Sequence, residues 1–214
     1  QKRILCKLFN KIVYFDPATQ TLSSQSAFPD ALPQQNDLLF EPSGDYWLLC
    51  GLREGTVNRS ELRHYRADGA LAAVYPIAID RYPYARLMRT SKGQIWVSGT
   101  SGRLLRCDPA TGGIEAYDFG KLFDKQATSV QIIALVEDGN GDIWAGTPLG
   151  LVKGTVKANS IDFQLFKAVD SKKEGLNNNS IACILPDPVA PTNAAVVPAG
   201  ISRHMSCRVD LRPG

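Results

Sequence analysis

The three tryptophans of this 214-residue chain, Trp47, Trp96 and Trp144, fall 49 and 48 residues apart. Each sits in a short apolar run just after a glycine turn: LLFEPSGDYWLLCG (38–51), RLMRTSKGQIWVSGTSGRL (86–104) and VQIIALVEDGNGDIWAGTPLGL (130–151). The third stretch reads most clearly. Val130, Ile132, Ala134 and Val136 lie in a nearly continuous apolar run that suits a strand covered on both faces. Asp138–Gly141 is a turn whose two glycines are expected at positive φ. Ile143–Ala145 restart an extended run, and Gly150–Leu151 open a further strand. A second marker keeps the same beat. The turn Asp16-Pro17-Ala18-Thr19 recurs as Asp108-Pro109-Ala110-Thr111, 92 residues later or two steps of 46.

A period in the forties with about four short strands per unit is the spacing of a β-propeller blade. The expectation is an all-β protein of four-stranded antiparallel blades, forming a partial or truncated ring of about four to five blades. The units read as 1–30, 36–79, 82–119, 129–168 and 176–190. The first lacks its innermost strand: Ile4–Cys6 and Lys11–Phe15 supply its second and third, and Thr21–Phe28 its outer one. The second carries an insert, Leu52–Ser60, read as a long loop. Ser180–Leu185 has the pattern of an innermost strand. The fifth unit then fails. One period after Trp144 lies Thr192, inside PTNAAVVP, and residues 191–214 form a degraded tail with at most one edge strand, as a truncation or frame shift would leave. Four and a half blades cannot close a normal ring, so the exposed blade edges are expected to invite self-association.

The charge balance of 24 Lys plus Arg against 21 Asp plus Glu shows no concentrated basic face, so nucleic acid is not an expected partner. No run reaches the roughly 18 to 20 apolar residues needed to span a membrane as a helix. Cys6, Cys50, Cys107, Cys183 and Cys207 are scattered and odd in number, which is no disulfide framework. His64 and His204 have no ligand-spaced Asp or Cys around them, so no metal or cofactor is expected. His64, between Arg63 and Tyr65, reads as a surface residue.

The repeated cores resemble the two-component regulator propeller repeat. The match is best at Val136-Glu137-Asp138, Gly141-Asp142-Ile143-Trp144-Ala145-Gly146-Thr147 and Gly150-Leu151. It is looser at 93–108, where Ser98 is inserted before Gly99-Thr100, and degraded at 44–51, which lacks the threonine. Gly175–Ile181 and Ile184–Pro188 also look like the start of a blade, and the resemblance extends over about residues 1–190. It implies a piece of the extracytoplasmic, periplasmic sensor region of a bacterial hybrid histidine kinase. Such a piece would be non-catalytic, would respond to an oligosaccharide or other small ligand, and would be joined in its parent to further blades and kinase domains. A carbohydrate-active propeller enzyme using Glu54 and Asp80, or a purely structural or protein-binding propeller, are the alternatives.

Among the repeat residues, Trp47, Trp96 and Trp144 are expected to fill space between blades and not to act as sugar platforms. Trp47, in the degraded motif, is expected to be the less costly to remove. Gly99, Thr100, Gly146, Thr147 and Gly150 fix the backbone at strand ends. Asp45, Asp138, Gly141 and Asp142 are turn residues and not a catalytic acid pair. The ligand-binding candidates lie off the repeat: Arg53, Glu54 and Asn58 in the unit-two insert, and Arg81, Tyr82 and Tyr84 in the link DRYPY, where charge and aromatic faces would hold a ligand.

Overall fold

A computed structural model describes residues 4–8, 11–54, 57–78, 85–99, 102–123, 130–157, 160–168 and 179–185, with only the backbone of Val57 and Asn58. The described regular structure is β-strand apart from one short 3-10 turn at Gly120–Leu122. The chain divides into two compact units, 1–132 and 133–214.

The first unit holds three antiparallel sheets, each running in chain order across its strands. Sheet one has β1 (Ile4–Lys7), β2 (Ile12–Asp16) and the two-residue β3 (Thr21–Leu22). Sheet two has β4 (Gln34–Phe40), β5 (Tyr46–Glu54), β6 (Val57–Tyr65) and β7 (Leu71–Ile77). Sheet three has β8 (Leu87–Arg89), β9 (Ile95–Ser98), β10 (Arg103–Cys107) and β11 (Ile114–Asp118). The second unit holds β12 (Ala134–Glu137), β13 (Ile143–Thr147), β14 (Gly150–Val156) and β15 (Ile161–Phe166), again in chain order. These are propeller blades. Among the described residues sheet one has no inner strand: moved back by the 92-residue marker interval, β9 and β10 fall on β1 and β2.

Strand periodicity explains how the blades of the first unit stack. Along β5, Leu48 and Cys50 point to one face and join Ile12, Phe28 and Tyr65 in an apolar layer between sheets one and two. Trp47 and Leu49 point to the other and join Leu62, Ile95, Val97, Leu105 and Cys107 between sheets two and three. β5 is therefore apolar at every central position because both of its faces are covered. Each fully buried tryptophan removes roughly 200 Å² from water, an upper-bound gain of about 5 kcal/mol at ~25 cal/mol/Å². Between sheets one and two, buried Gln35 acts as a polar staple. Its Oε1 accepts from Ile12 N at 2.9 Å and Ser26 Oγ at 2.7 Å, and its Nε2 donates to Phe28 O at 3.0 Å.

The glycine ahead of each tryptophan serves one turn. Gly44 N, Gly93 N and Gly141 N donate to the carbonyls of Glu41, Thr90 and Asp138, and Glu41 N, Thr90 N and Asp138 N close onto the carbonyls of Asp45, Gln94 and Asp142. This is a three-residue hairpin loop with its last residue at left-handed φ, here +92°, +80° and +82°.

Several expectations are corrected. Of the two glycines in Asp138–Gly141, only Gly141 has positive φ, because the three-residue loop needs a single left-handed position. The inner strand of the fourth blade is Ala134–Glu137, and Val130–Ile133 are not part of it. The outer strand of the first blade is two residues long, and residues 23–28 leave it to fold Phe28 into the core. Of the expected loop Leu52–Ser60, Leu52–Glu54 and Val57–Ser60 instead extend the β5–β6 ladder, with Leu52 paired to Arg59, Arg53 to Asn58 and Glu54 to Val57, and Gly55 and Thr56 lie outside the described residues. Ser180–Leu185 forms no strand; its tie to the fourth blade is Ile181 N to Thr147 O at 2.9 Å. Residues 186–214, with the expected tail strand and Cys207, lie outside the described residues.

Candidate functional site

Each blade with a tryptophan repeats a set of side chains that sequence reading only half disclosed. The residue facing the tryptophan on the next strand is basic in every case: His64 for Trp47, Arg106 for Trp96 and Lys153 for Trp144. An aromatic on the fourth strand completes the row, with ring centroids 5.8 Å (Tyr75), 5.7 Å (Tyr117) and 5.9 Å (Phe166) from the respective indoles. His64 stacks on Trp47 at 4.2 Å and 8°, so it is part of the packing and not a surface residue. Lys153 Nζ lies 5.4 Å from the Trp144 ring and 2.7 Å from Asp142 Oδ2.

The acids at the turns hold this row in place. Trp144 Nε1 donates to Asp138 Oδ2 at 2.8 Å, while Asp138 Oδ1 accepts from Asn140 N and Asp142 N. Burial pushes the Asp138 carboxyl up, but these hydrogen bonds and Lys153 outweigh it and hold it below its ordinary value. In the second blade Glu41, also six residues ahead, takes that role for Trp47 Nε1 at 2.6 Å. Asp45 accepts from Ala67 N at 3.0 Å and faces His64 Nε2 at 3.6 Å. These acids are committed to structure, and none is paired across an open cleft as glycoside cleavage requires. In the third blade Thr90 occupies the acid's position, and buried Trp96 Nε1 has no partner. The remaining repeat residues behave as strand-end fixtures. Thr147 Oγ1 donates to Gly150 O at 2.8 Å and accepts from Leu149 N, Gly150 has φ +143°, and a Cβ on Gly146 would meet Ile181 O at 2.8 Å. Gly99 N donates to Arg103 O at 2.8 Å, and Thr100 lies outside the described residues.

A cluster of charged residues from three blades was missed at the sequence level. It lies in the first unit, where strand two of each blade turns into strand three and the inner strand begins. Asp37 on β4 accepts from Leu87 N, on the inner strand of the next blade, at 2.8 Å. Lys7, at the end of β1, approaches Asp37 Oδ1 to 4.0 Å, and Arg86 precedes β8 and biases both groups electrostatically. Burial raises the Asp37 carboxyl against the opposing Leu87 N–H, Lys7 and Arg86. Burial lowers the Lys7 ammonium, assisted by Arg86 and resisted by Asp37. Beside Asp37 the strand bulges between Gln35 and Asp37, and two buried atoms, Gln34 Oε1 and Asn36 Nδ2, have no hydrogen-bond partner. The available sequence signal was the polar run QQND at the head of a strand that continues as LLF.

Of the ligand-binding candidates, Arg53 and Glu54 are exposed at the free end of the β5–β6 hairpin, with the backbone of Asn58 opposite Arg53. β4 pairs with β5 as far as Gly51, and Glu54 follows three residues later, so at about 3.4 Å per residue the β5–β6 ribbon projects roughly 10 Å beyond the four-stranded part of the sheet. Arg81, Tyr82 and Tyr84, like Asp80, lie outside the described residues. Among the described residues no three His, Cys, Asp or Glu side chains converge as metal ligands would.

Blades of this construction define a partial β-propeller. Residues 127–148 match the family model of the two component regulator propeller. The extracellular domain assigned to system BT4673 of B. thetaiotaomicron superposes with a TM-score of 0.61 at 21% identity, covering 87% of this chain and 24% of that one. The extracellular domain assigned to the hybrid two component system BT3049 of the same organism gives 0.53 at 18%, covering 85% and 22%. PorZ, a surface component of the type-IX secretion system of Porphyromonas gingivalis, gives 0.50 at 18%, covering 82% and 27%. The chain thus spans about a quarter of the length of these proteins. At these identities the likeness establishes the fold. No curated protein sequence matches the chain.

Proposed function

We propose that this chain is part of the extracytoplasmic ligand-sensing propeller of a hybrid two-component histidine kinase, and that it is non-catalytic. The observation that carries the reading is the regulator-propeller match at 127–148, set in blades that superpose on the extracellular domains of such systems. The turn acids support it, since Asp45, Asp138 and Asp142 are engaged in turns and in pairing His64 and Lys153. The projecting hairpin with Arg53, Glu54 and Asn58 and the DRYPY link with Arg81, Tyr82 and Tyr84 supply ligand contacts at the rim, and an oligosaccharide is the proposed signal. In the parent protein further blades complete the ring, and a kinase follows a membrane span on the cytoplasmic side of a periplasmic sensor.

The full-length gene tests this directly. A single span and a histidine-kinase core encoded after the propeller are expected, and a gene that ends without them overturns the reading. Titration with oligosaccharides while reducing ends are measured separates the alternatives. Binding without turnover is expected, whereas new reducing ends would make the protein an enzyme.

A further inference from the structure

The basic residue facing the tryptophan is a permanent cation in the third and fourth blades and a titratable one in the second. Lys153 reaches both the Trp144 ring, at 5.4 Å, and Asp142 Oδ2, at 2.7 Å. Arg106 pairs with Glu115 at 2.6 Å and lies 5.4 Å from the Tyr117 ring, which stacks on Trp96. In the second blade His64 takes the place of Lys153, and Asp45, directly after the turn glycine, takes that of Asp142. The match is incomplete. His64 Nε2 stops 3.6 Å from Asp45 Oδ2, beyond hydrogen-bond range, and this nitrogen is buried without a partner. A neutral imidazole has a single N–H, whereas the imidazolium has one on each nitrogen. Proton uptake therefore puts a donor and a charge opposite Asp45, on a ring already stacked on the indole at 4.2 Å and 8°.

The neighbouring ionisable groups leave the histidine to respond by itself near neutrality. Asp45 and Glu41 stand in the β4–β5 turn, Arg89 on β8 lies 3.5 Å from Glu41, and Arg66 and Asp68 are exposed in the β6–β7 turn. On β7 His64 faces Ala73, and Tyr75 lies 5.8 Å from Trp47. Burial holds the Tyr75 phenol above its ordinary value and pushes the Cys107 thiol behind it up to about 11. Histidine alone among ordinary side chains changes charge between pH 5 and 8. We propose that His64 is a proton-sensing residue: on protonation it closes onto Asp45 and gives the second blade the cation-on-indole arrangement that Lys153 gives the fourth. The closed pair should lie at about 2.8 Å, and it forms only in the protonated state, which is the differential interaction such a change requires. Asp45 Oδ1 also accepts from Ala67 N, and Trp47 Nε1 donates to Glu41 beside Arg89. The proton is thus felt in the β6–β7 turn and at the seam with the third blade, whether or not the parent protein is a kinase.

The test is an NMR titration of the 214-residue chain from pH 8 to 5, following its three indole N–H signals and the rings of its two histidines. The Trp47 N–H and the His64 ring should shift together with one midpoint while the Trp144 N–H stays in place. His64→Gln should abolish the Trp47 response, as should His64→Lys, whose charge is permanent; His204→Gln should leave it intact. Asp45→Asn keeps an acceptor for Ala67 N and should lower the midpoint by roughly half a pH unit, since an opposite charge favours the protonated form and exposure screens it. Unchanged Trp96 and Trp144 signals at pH 8 show that a variant has folded, and Asp45→Asn carries the test should a His64 variant fail to fold. A Trp47 signal that does not move overturns the proposal. So does a response that survives His64→Gln, a Trp144 signal that moves with the same midpoint, or an Asp45→Asn midpoint at or above that of the parent protein.

Discussion

Replacing Thr90 with aspartate should stabilise the protein, although it adds a charge at a site that is 3% exposed. In the flanking blades an acid six residues ahead of the tryptophan accepts from its indole, Glu41 for Trp47 at 2.6 Å and Asp138 for Trp144 at 2.8 Å. Thr90 already accepts from Gln94 N at 3.1 Å, as Asp138 Oδ1 does from Asp142 N at 3.0 Å, so an aspartate keeps that bond and offers its second oxygen to Trp96. An unpaired buried donor costs about 1–3 kcal/mol, and a hydrogen bond to a charged acceptor recovers about 1.5–3. Asp138 is only partly buried where Thr90 is fully so, and the greater desolvation takes back part of that gain. A net of about 1 kcal/mol remains, or a rise of about 2–4 °C in melting temperature for a chain of this size. Urea unfolding of Thr90→Asp, with and without Trp96→Phe, isolates the effect. The aspartate's pKa should be held below its unfolded value by these bonds. The gain is then present above the unfolded value of about 3.9 and lost as pH falls through the folded one. A gain that survives in the Trp96→Phe background, or a loss at neutral pH, refutes the reasoning.

Trp47→Ala should cost about 3–5 kcal/mol and at least as much as Trp144→Ala, since a large buried aromatic leaves a cavity in both cases. Trp47 is 0% exposed against 8% and stacks on His64, so the degraded motif does not make it the cheaper loss; parallel urea melts decide the order. Gly102→Ala should cost about 2 kcal/mol. Its φ is +69°, and the added Cβ would lie 2.9 Å from backbone atoms of Gly120, which chemical denaturation will register. Asp37→Asn should raise stability at pH 7, because burial raises the Asp37 pKa in the fold and the ionised form is penalised. That penalty grows as pH rises from the unfolded pKa through the folded one, so the difference from the parent protein should vanish in acid; stability measured across pH 3 to 7 checks it.

The blade architecture was legible because it rests on local chemistry that repeats. A left-handed turn position selects glycine at 44, 93 and 141, and a doubly covered strand selects an apolar run with tryptophan three residues on. What escaped was set by register across strands. His64, Arg106 and Lys153 are ordinary polar positions in sequence, and only the pairing with strand two puts them against an indole. Leu52–Ser60 read as a loop because it breaks the length of the repeat, whereas a ladder extends for as long as both strands can pair. The Lys7–Asp37–Arg86 cluster joins residues 30 and 49 positions apart, brought together by the stacking of three sheets, which no local pattern announces.

The β5–β6 hairpin gives the second blade a mechanical property the third lacks. Its strands are nine residues each where β9 and β10 have four and five, and among the described residues Leu52–Glu54 and Val57–Arg59 extend the ladder by pairing with each other. A paired ribbon of that kind is stiff along its length and pivots at its root. The root lies beside the bulge of β4, next to Asp37. A shift of 1 Å at a pivot a few ångströms deep therefore becomes a sweep several times larger at Glu54. A fluorophore carried there would act as the needle of a gauge, turning a displacement too small for spectroscopy of the bulk protein into an angle that depolarisation can read.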